Sequence, residues 1–408
     1  MNVHPAIKAM ANDKSRVAII VAELALTMAI IVNGIAFLTQ ALERVLADTG
    51  VDAEAIAVIT SRPFWDEQED MRRLHAAGLR DLEHLRRRPD VEAAATVYPL
   101  PLQGGGRATH YRAEGAPEHA RVHGPVYVAS PGVIDTLGLK LVAGRAFEPG
   151  DLPPPDTPDS EPVTEGVTII TQALADALFP DGDALGKVIH PGASSHRYTA
   201  VGIVEYMRTP YGGGPMEERI GFFPSVVDRE STMSVLVRVK EGALADVLRT
   251  APDELAPHES ERVIESSSLT DVAVGGQALQ RFLAKGLAVI LFLLVFTSAL
   301  AVYGVSSAAV ARRRKQIGTW RALGATRQTV ARYFLLESFV GATVAMALGV
   351  PLAFAVNFAL QASQDAPPLS PEVMLPTIAG FWGLAMLATL GPARRAAKIP
   401  PALASKGT

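Results

Sequence analysis

Residues 286–311 read GLAVILFLLVFTSALAVYGVSSAAVA, a stretch without a single charged side chain. Crossing the hydrocarbon core of a bilayer, about 30 Å thick, takes roughly 20 mostly apolar residues in a helix. This stretch is long enough and apolar enough to do so. It therefore predicts a membrane-spanning helix, and it decides the class of the whole protein.

Three further segments have the same character and bring the predicted membrane helices to four. The first, 17–42, has Glu23 as its only charge. The third and fourth are predicted at 333–361 and 373–392, on either side of a short loop at 362–372. The first segment also shares features with a signal peptide, but its apolar run is too long and no small-residue cleavage site closes it. We therefore predict that it is retained as a helix.

The overall composition agrees with a chain divided between membrane and water. Of its 408 residues 49% are hydrophobic, yet 20% are charged, so apolar and charged segments must be separated along the chain. The net charge of -4 gives no indication of nucleic-acid binding. The absence of cysteine excludes disulfides, thiolate metal sites and cysteine nucleophiles.

The lysines and arginines in the short flanks predict the orientation, since cytoplasmic flanks carry an excess of both. Basic residues precede the first helix, fill the loop at 312–332 and follow the fourth helix, whereas the loop at 362–372 has none. Both termini, 1–16 and 393–408, and the loop at 312–332 are therefore predicted to be cytoplasmic. The segment 43–285 is predicted to lie outside, because long domains translocate regardless of their charge.

We expect 43–285 to fold as a mixed α/β domain inserted between the first two membrane helices. Glycines at 104–106 and 212–214 predict turns or mobile loops. The proline- and acid-rich stretch 149–162 could be a solvated surface loop or a partner-docking loop, and its composition favours the solvated loop. Strands are predicted at 55–60, 167–171, 198–204, 220–223 and 235–239, and helices at 66–87, 171–179 and 243–255.

Helical continuations are predicted at both ends of this domain, at 41–46 and 269–284. Two such stalks would join the domain to the membrane without a flexible break. Rigid helices transmit displacement, whereas a flexible linker would absorb it. Gly275 and Gly276 mark a candidate hinge in the second stalk.

A search of the sequence for chemistry finds no enzyme. Residues 182–188 (GDALGKV) come nearest to a phosphate-binding loop, but their glycines are one residue too close and valine follows the lysine. His110, His119 and His123 have no further ligand at a spacing that identifies a metal site, so they are interpreted as surface residues. The sequence contains no nucleophile elbow. We therefore predict no catalytic, metal-binding or cofactor-binding residue in this chain.

Two acids, Glu23 and Glu337, lie inside predicted membrane helices, where a charge is costly. They could form a proton or substrate site, or each could lie near the cytoplasmic edge and pair with Arg16 or Arg332 or reach water. The second interpretation is favoured, because acids on a transport path more often lie near mid-bilayer. Asn33 lies deeper and is predicted to hydrogen-bond across a helix interface.

The loop after the second helix is the most informative stretch, and residues 311–329 read ARRRKQIGTWRALGATRQT. A role as cytoplasmic anchor accounts for much of the basic run. It does not account for Ile317, Trp320 and Leu323, which form an apolar stripe on a short helix. Such a stripe can lie on lipid or dock into a groove on a cytoplasmic partner.

This pattern, followed by FLLE at 334–337, resembles the permease subunits of the MacB/FtsX class of ABC transporters. Residues 132–151 (GVIDTLGLKLVAGRAFEPGD) and 167–189 (VTIITQALADALFPDGDALGKVI) are similar to segments of the family's outer domain. Residues 198–208 (YTAVGIVEYMR) and 221–225 (GFFPS) are similar to further segments of the outer domain. Residues 391–404 (GPARRAAKIPPALA) are similar to the family's closing segment. One departure is Thr171, where relatives often carry asparagine. The likeness covers nearly the whole chain in order.

The resemblance implies a dimer of permeases, either two copies of this chain or this chain with a paralogue, and a separate cytoplasmic ATPase that binds ATP and Mg²⁺. A periplasmic adaptor is a further candidate partner, and the setting would be the lipid of a bacterial inner membrane. The helix in the loop at 312–332 would be the element that couples to the ATPase. Its candidate residues are Arg314, Lys315, Ile317, Trp320, Arg321 and Leu323.

Two functions follow from the resemblance. In the first, ATP hydrolysis moves the outer domain to export or extract a drug, peptide, lipid or lipoprotein. In the second, an FtsX-like regulator activates a periplasmic or cell-wall partner. The predicted outer domain, at 43–285, is closer in size to that of MacB, so export is the leading hypothesis.

Overall fold

The structure, a computed structural model, describes residues 14–64, 71–153, 165–192, 196–209, 214–226, 233–258, 261–363 and 366–400. The chain divides into two compact units. The membrane unit combines the N-terminal segment up to Val45 with the chain from Gln280 onward, and the inserted domain is Leu46–Leu279.

The α-helices of the described residues are numbered in chain order. They are α1 (Lys14–Leu46), α2 (Met71–Arg86), α3 (Val133–Leu137), α4 (Gln172–Leu178), α5 (Leu244–Leu255), α6 (Leu269–Gly276), α7 (Ala278–Arg312), α8 (Arg314–Ala322), α9 (Arg327–Ser363) and α10 (Pro371–Ala397). The strands are β1 (Ile56–Pro63), β2 (Val91–Tyr98), β3 (Arg107–Ala113), β4 (Val122–Ala129), β5 (Leu141–Gly144), β6 (Glu165–Thr171), β7 (Val188–Pro191), β8 (Arg197–Val204), β9 (Gly221–Pro224), β10 (Met233–Val239) and β11 (Arg262–Ser268).

Four helices of the described residues, α1, α7, α9 and α10, are long and apolar enough to cross a membrane, which confirms the predicted number. Each extends beyond the segment predicted from hydropathy, because turns that continue into water carry polar residues that hydropathy leaves out. The helix α9, for example, begins at Arg327 rather than near Tyr333, and α10 continues to Ala397.

The four long helices share one apolar core. Met28 and Val32 of α1 are fully buried there beside Leu291 of α7, Ala345 of α9 and Phe381 of α10. Between helices in lipid the hydrophobic effect is weak, so close packing of small residues must hold such a core together. The alanine-rich segments of α1 and α9 supply those small residues.

The inserted domain contains a four-stranded antiparallel sheet in the order β11-β1-β10-β2. The chain enters β1, crosses through α2 to β2, and later repeats the pattern from β10 through α5 to β11. This is a split β-α-β arrangement, in which each pair of sequential strands encloses a strand of the other pair.

Most of the chain between β2 and β10 forms a second substructure, which is joined to that sheet by the pairing of β2 with β4. Its strands β3, β4, β9, β6, β8 and β7 pair successively, and β7 returns to β3, so the six close into a barrel. Closure leaves these strands without a free edge. Tyr111, Ile170, Ile189 and Phe223 fill the apolar cluster of the barrel.

Both faces of the four-stranded sheet are buried, since successive side chains of a strand point to opposite faces. On β1, Ala57 and Ile59 pack with Leu85 of α2 and Val247 of α5. Ile56 and Val58 of the same strand pack on the other face with residues of α3 and α6. A strand buried on both faces reads as an unbroken apolar run, and this explains the sequence signal at 55–60.

The structure confirms every strand predicted in the inserted domain and the helices at 171–179 and 243–255, with ends shifted by one to three residues. The helix predicted at 66–87 is present as α2 from Met71, and residues 65–70 lie outside the described residues. Most of the predicted turn at 212–214 and the loop residues 154–162 lie outside them as well. Six strands, β2, β3, β4, β5, β7 and β11, were not predicted.

The two predicted stalks differ from each other. The helix α1 continues without interruption to Leu46, as expected. The second stalk, predicted as one helical stretch over 269–284, is divided: α6 ends at Gly276, Gln277 has φ −92° and ψ −1°, and α7 begins at Ala278. The expectation of an unbroken second stalk is therefore wrong, and the division falls next to the glycine pair.

Candidate functional site

The helix α8, Arg314–Ala322, is a separate short helix whose ends are both determined by sequence. At its C-terminus Gly324 has φ +98°, its N–H bonds to the Arg321 carbonyl, and the Ala325 N–H bonds to the Trp320 carbonyl. These are the two hydrogen bonds of a Schellman motif, which requires a left-handed residue and therefore favours glycine. The segment LGA of the basic loop is thus a helix stop.

The next helix starts at once. The Thr326 hydroxyl accepts a hydrogen bond from the Thr329 N–H at 3.1 Å, the contact expected of an N-cap two or three residues before the capped amide. Because stop and start signals follow each other so closely, α8 is joined to α9 by a turn with little freedom.

The inner face of α8 is packed against the membrane unit. Ile317 is fully buried with Val310 of α7, Phe334 of α9 and Ala396 of α10. Trp320 is partly buried on the same cluster, and its ring contacts that of Tyr333 edge to face with centroids 5.2 Å apart. The close-packed contact makes α8 part of the membrane unit's core.

The outer face of α8 differs from the one the sequence suggested. Of the three apolar residues predicted to form one docking stripe, Leu323 alone is largely exposed, at 82%. Lys315 and Thr319, at i, i+4 spacing, are exposed along the same side, and Arg314 is exposed too. Arg321 is partly buried and donates to the Ala325 carbonyl at 3.1 Å. The prediction that Ile317 presents itself to a partner is therefore wrong, because its neighbours in the fold already cover it.

Glu337 forms an ion pair close to α8. Its Oε2 accepts a hydrogen bond from Arg313 Nη1 at 2.8 Å, and both side chains are about four-fifths buried, with 18% and 22% exposed. Arg313 also approaches the Tyr333 hydroxyl at 3.4 Å. The sequence predicted an ion pair for Glu337 but named Arg332, which is exposed. The partner comes from the residue before α8 instead.

A small cavity of about 120 Å³ lies beside this ion pair within the membrane unit. All four long helices contribute to its wall, which is mostly apolar. Glu337, Ser306 and Ser338 are the polar residues on the wall. The Ser338 hydroxyl accepts a hydrogen bond from Thr389 at 2.8 Å, so its polarity is largely matched inside the protein.

Glu23 is exposed on α1, and its carbonyl accepts a hydrogen bond from the Thr27 hydroxyl at 2.8 Å. The side chain of Arg16, its predicted partner, lies outside the described side chains. Glu23 and Glu337 therefore occupy different environments, and no contact among the described side chains brings them together.

Asn33 does hydrogen-bond across a helix interface, as predicted. Its Nδ2 donates to the Ala353 carbonyl of α9 at 3.1 Å, and its Oδ1 accepts from Asn357 Nδ2 at 3.1 Å. Gln361 extends the network to the Asn357 Oδ1 at 2.8 Å. Asn357 and Gln361 lie four residues apart in an apolar helix, a spacing that could have revealed this network in the sequence.

The family model of the MacB-like periplasmic core domain matches residues 18–252, more than half of the chain. A second family model, that of the FtsX-like permease C-terminal region, matches residues 288–401. The chain belongs to the MacB/FtsX family of ABC transporter permeases. It is accordingly a multi-pass membrane protein with a periplasmic core domain of mixed α/β structure.

Named relatives resemble the chain at low identity. The macrolide export ATP-binding/permease protein MacB of Neisseria meningitidis serogroup A is 22% identical over 406 residues, covering 97% of this chain and 59% of that protein. The chain thus spans about three-fifths of the length of this relative. The uncharacterized ABC transporter permease YvrN of Bacillus subtilis is 23% identical over 72% of this chain and 74% of its own length.

Solved structures of a MacB periplasmic region and of the extracellular domain of another ABC-type transporter are also similar. The periplasmic region of MacB from Actinobacillus actinomycetemcomitans is 12% identical with a TM-score of 0.36, covering 55% of this chain and 92% of that one. The extracellular domain of the ABC-type transporter YknZ from Gram-positive bacteria is 13% identical with a TM-score of 0.32, covering 51% of this chain and 98% of that one.

The sequence features that came nearest to a phosphate-binding loop and a metal site have structural roles in this chain. In the segment 182–188, Gly186 has φ +76° and its N–H bonds to the Ala200 carbonyl, so the segment is a turn that leads into β7. His110 and His123 are exposed register partners on β3 and β4, with rings stacked 4.5 Å apart. Among the described residues no group of three or more potential ligands could hold a metal ion.

Proposed function

We propose that the chain is the permease subunit of an ABC transporter, driven by a separate cytoplasmic ATPase that binds ATP and Mg²⁺. The observation that carries this proposal is the way α8 is held. The buried Ile317 packs α8 against three long helices, while Leu323, the residue after α8, is exposed and accessible for docking. A displacement of α8 passes to those helices because a close-packed core does not absorb it.

The work is done at the other end, by movement of the inserted domain. In this proposal both termini and α8 are cytoplasmic, as the basic flanks indicate, and the inserted domain is periplasmic. Two permeases, identical or paralogous, act together in the bacterial inner membrane. Their cargo is a drug, peptide, lipid or lipoprotein that is exported or extracted, with a periplasmic adaptor as a further partner.

The test of ATPase coupling uses a charge placed on the exposed end of α8. The full chain is co-expressed with a candidate ABC ATPase, and Leu323→Asp is compared with Gln328→Asp, which adds the same charge at an exposed position on the next helix. We expect the amount of ATPase that co-purifies with Leu323→Asp to fall at least about tenfold, because docking would bury an unpaired charge in an apolar groove. Retention of the ATPase by Leu323→Asp would show that α8 does not dock in this way.

A regulatory role makes a different prediction for the same complex. Stimulation of ATP hydrolysis by candidate drugs, lipids or lipoproteins supports export. Stimulation by a purified periplasmic protein, with none by small amphiphiles, supports an FtsX-like regulator.

A further inference from the structure

The loop 99–106, between β2 and β3, reaches the C-terminal end of α6 within the inserted domain. Leu102 in this loop has φ +65°, a left-handed conformation that a branched side chain adopts only where the surroundings impose it. The side chain is 3% exposed and belongs to the same apolar core as Leu269, the first residue of α6. Burial of Leu102 thus anchors the loop beside the helix.

At the tip of the loop the two backbones approach so closely that neither can carry a side chain. A Cβ on Gly276 would lie 2.2 Å from the carbonyl carbon of Gln103, and a Cβ on Gly104 would lie 2.1 Å from the Gly276 carbonyl oxygen. Real Cβ atoms do not approach backbone this closely. Both glycines are therefore required by the contact.

The neighbouring glycine shows that the requirement is specific. A Cβ on Gly275 would meet nothing within 4 Å, although Gly275 lies in the same turn of α6. Gly276 is therefore explained by the contact with the loop, whereas a general need for flexibility would apply to both residues.

The other end of α6 is also fixed to the domain. The Ser268 hydroxyl accepts a hydrogen bond from the Asp271 N–H at 3.0 Å, an N-cap, and Leu269 is fully buried. Val272 and Ala273 pack on the same core. With its start capped and its end held by the loop, α6 is fastened at both ends.

We propose that the loop 99–106 is a clasp, and that Gly276 is a positioning residue that makes α6 an integral part of the inserted domain. The pair Gly275–Gly276 is then no hinge. Gln277 is the one residue between α6 and α7. Only the use of this arrangement in transmitting motion rests on the proposed function.

Hydrogen exchange measured by mass spectrometry on the full chain in lipid nanodiscs tests the clasp. Gly276→Ala should speed amide exchange in peptides from both 99–106 and 269–277 by about tenfold, since loss of the contact opens both segments together. Gly275→Ala is the matched control and should change exchange in these peptides by less than about twofold. Unchanged exchange in Gly276→Ala, or equal changes in both variants, would overturn the proposal.

A second variant keeps the test decisive if Gly276→Ala does not fold. Leu102→Ala removes the anchor of the loop without adding an atom near α6, and it should speed exchange in 269–277 as well as in the loop. Faster exchange confined to the loop would mean that α6 is held without the clasp. Since exchange is measured without an ATPase, its outcome stands apart from whether an ATPase drives this chain.

Discussion

Ala57 and Ser268 lie directly opposite each other on the hydrogen-bonded strands β1 and β11. Ala57 is near the start of β1, which follows α1, and Ser268 is the last residue of β11, which leads into α6. The two chain connections of the inserted domain therefore leave from the same end of one antiparallel ladder. Displacing one strand against the other would break the whole row of hydrogen bonds at once, so the two connections are coupled through the sheet.

The continuity of α1 is the first feature to test. On the proposed function, a seven-residue Gly/Ser insertion after Leu46 should leave ATP hydrolysis by the complex intact but abolish export, because a flexible segment absorbs displacement. A helical insertion of the same length is the control, since it turns the helix by only about 20° from its original phase. Export would be measured in cells, and ATP hydrolysis on the purified complex. Normal export with the flexible insertion would show that α1 does not transmit motion.

The buried face of α8 should prove to be structural. Ile317→Ala removes most of a fully buried side chain and should lower the free energy of unfolding by about 2–4 kcal/mol. Leu323→Ala, at an exposed position nearby, should change it by less than about 0.5 kcal/mol. Thermal unfolding of the full chain in detergent measures both. Equal effects would mean that the two residues are buried alike.

The ion pair between Arg313 and Glu337 should behave as a coupled unit. Glu337→Gln leaves the partly buried guanidinium without its charged partner and should cost about 2–3 kcal/mol of stability. The double variant Arg313→Gln/Glu337→Gln should recover part of this loss, which a double-mutant cycle would quantify. The exposed Arg332 supplies the control, and Arg332→Gln should be nearly neutral. Additive effects of the two single changes would argue against a direct interaction.

Close packing of α1 on α9 predicts a strict size limit at Gly349. A Cβ there would lie 2.9 Å from the Ala25 carbonyl oxygen and 3.1 Å from the Met28 Cβ. Gly349→Ala should therefore destabilise the membrane unit by about 1–3 kcal/mol. Gly383→Ala in α10, where a Cβ meets nothing within 4 Å, is the matched control. Thermal unfolding in detergent distinguishes them, and a tolerated Gly349→Ala would mean that the two helices separate readily.

Acid should lower the stability of the inserted domain by protonating Asp151. Two hydrogen bonds from Arg145, at 2.6 and 2.9 Å, hold the pKa of Asp151 below its usual range, against the opposite effect of partial burial. A lowered pKa in the folded state contributes stability above the unfolded carboxyl pKa of about 3.9, and this is lost as pH falls through the folded value.

The variant Asp151→Asn should therefore lose about 1 kcal/mol of stability at pH 7 and approach the wild type in strong acid. Glu148→Gln is the control, because Glu148 is exposed and lies 3.8 Å from the Arg145 Nε. Unfolding of the full chain at pH 7 and near pH 2.5 measures the difference. A deficit that persists unchanged in acid would show that the charge of Asp151 is not its source.

Much of the fold could be predicted from local sequence, because membrane helices and doubly buried strands leave long apolar runs. The strand β2 was not predicted because its sequence, VEAAATVY, is rich in alanine, which does not favour strands. The strand β11 was not predicted because its sequence, RVIESSS, is rich in serine. Closure of the barrel could not be predicted either. It pairs β3 with β7 and β4 with β9, which are far apart in sequence.

The candidate site shows the same division between local and distant information. Residue spacing placed Ile317, Trp320 and Leu323 on a short helix. The depth of Asn33 in a membrane helix predicted a hydrogen bond across a helix interface, but not its partner. Spacing could not tell which of the three apolar residues the fold covers, because the covering side chains come from Phe334 and Ala396. It also named the wrong arginine for Glu337, since the true partner lies beyond the intervening helix α8.

The barrel enters and leaves the four-stranded sheet through neighbouring strands, β2 and β10, where Thr96 pairs with Val235. An insertion with adjacent ends can grow, shrink or be exchanged while the sheet beneath it keeps its pairing. The sheet that carries the two chain connections of the domain is therefore independent, in its own strand pairing, of the size of the insertion.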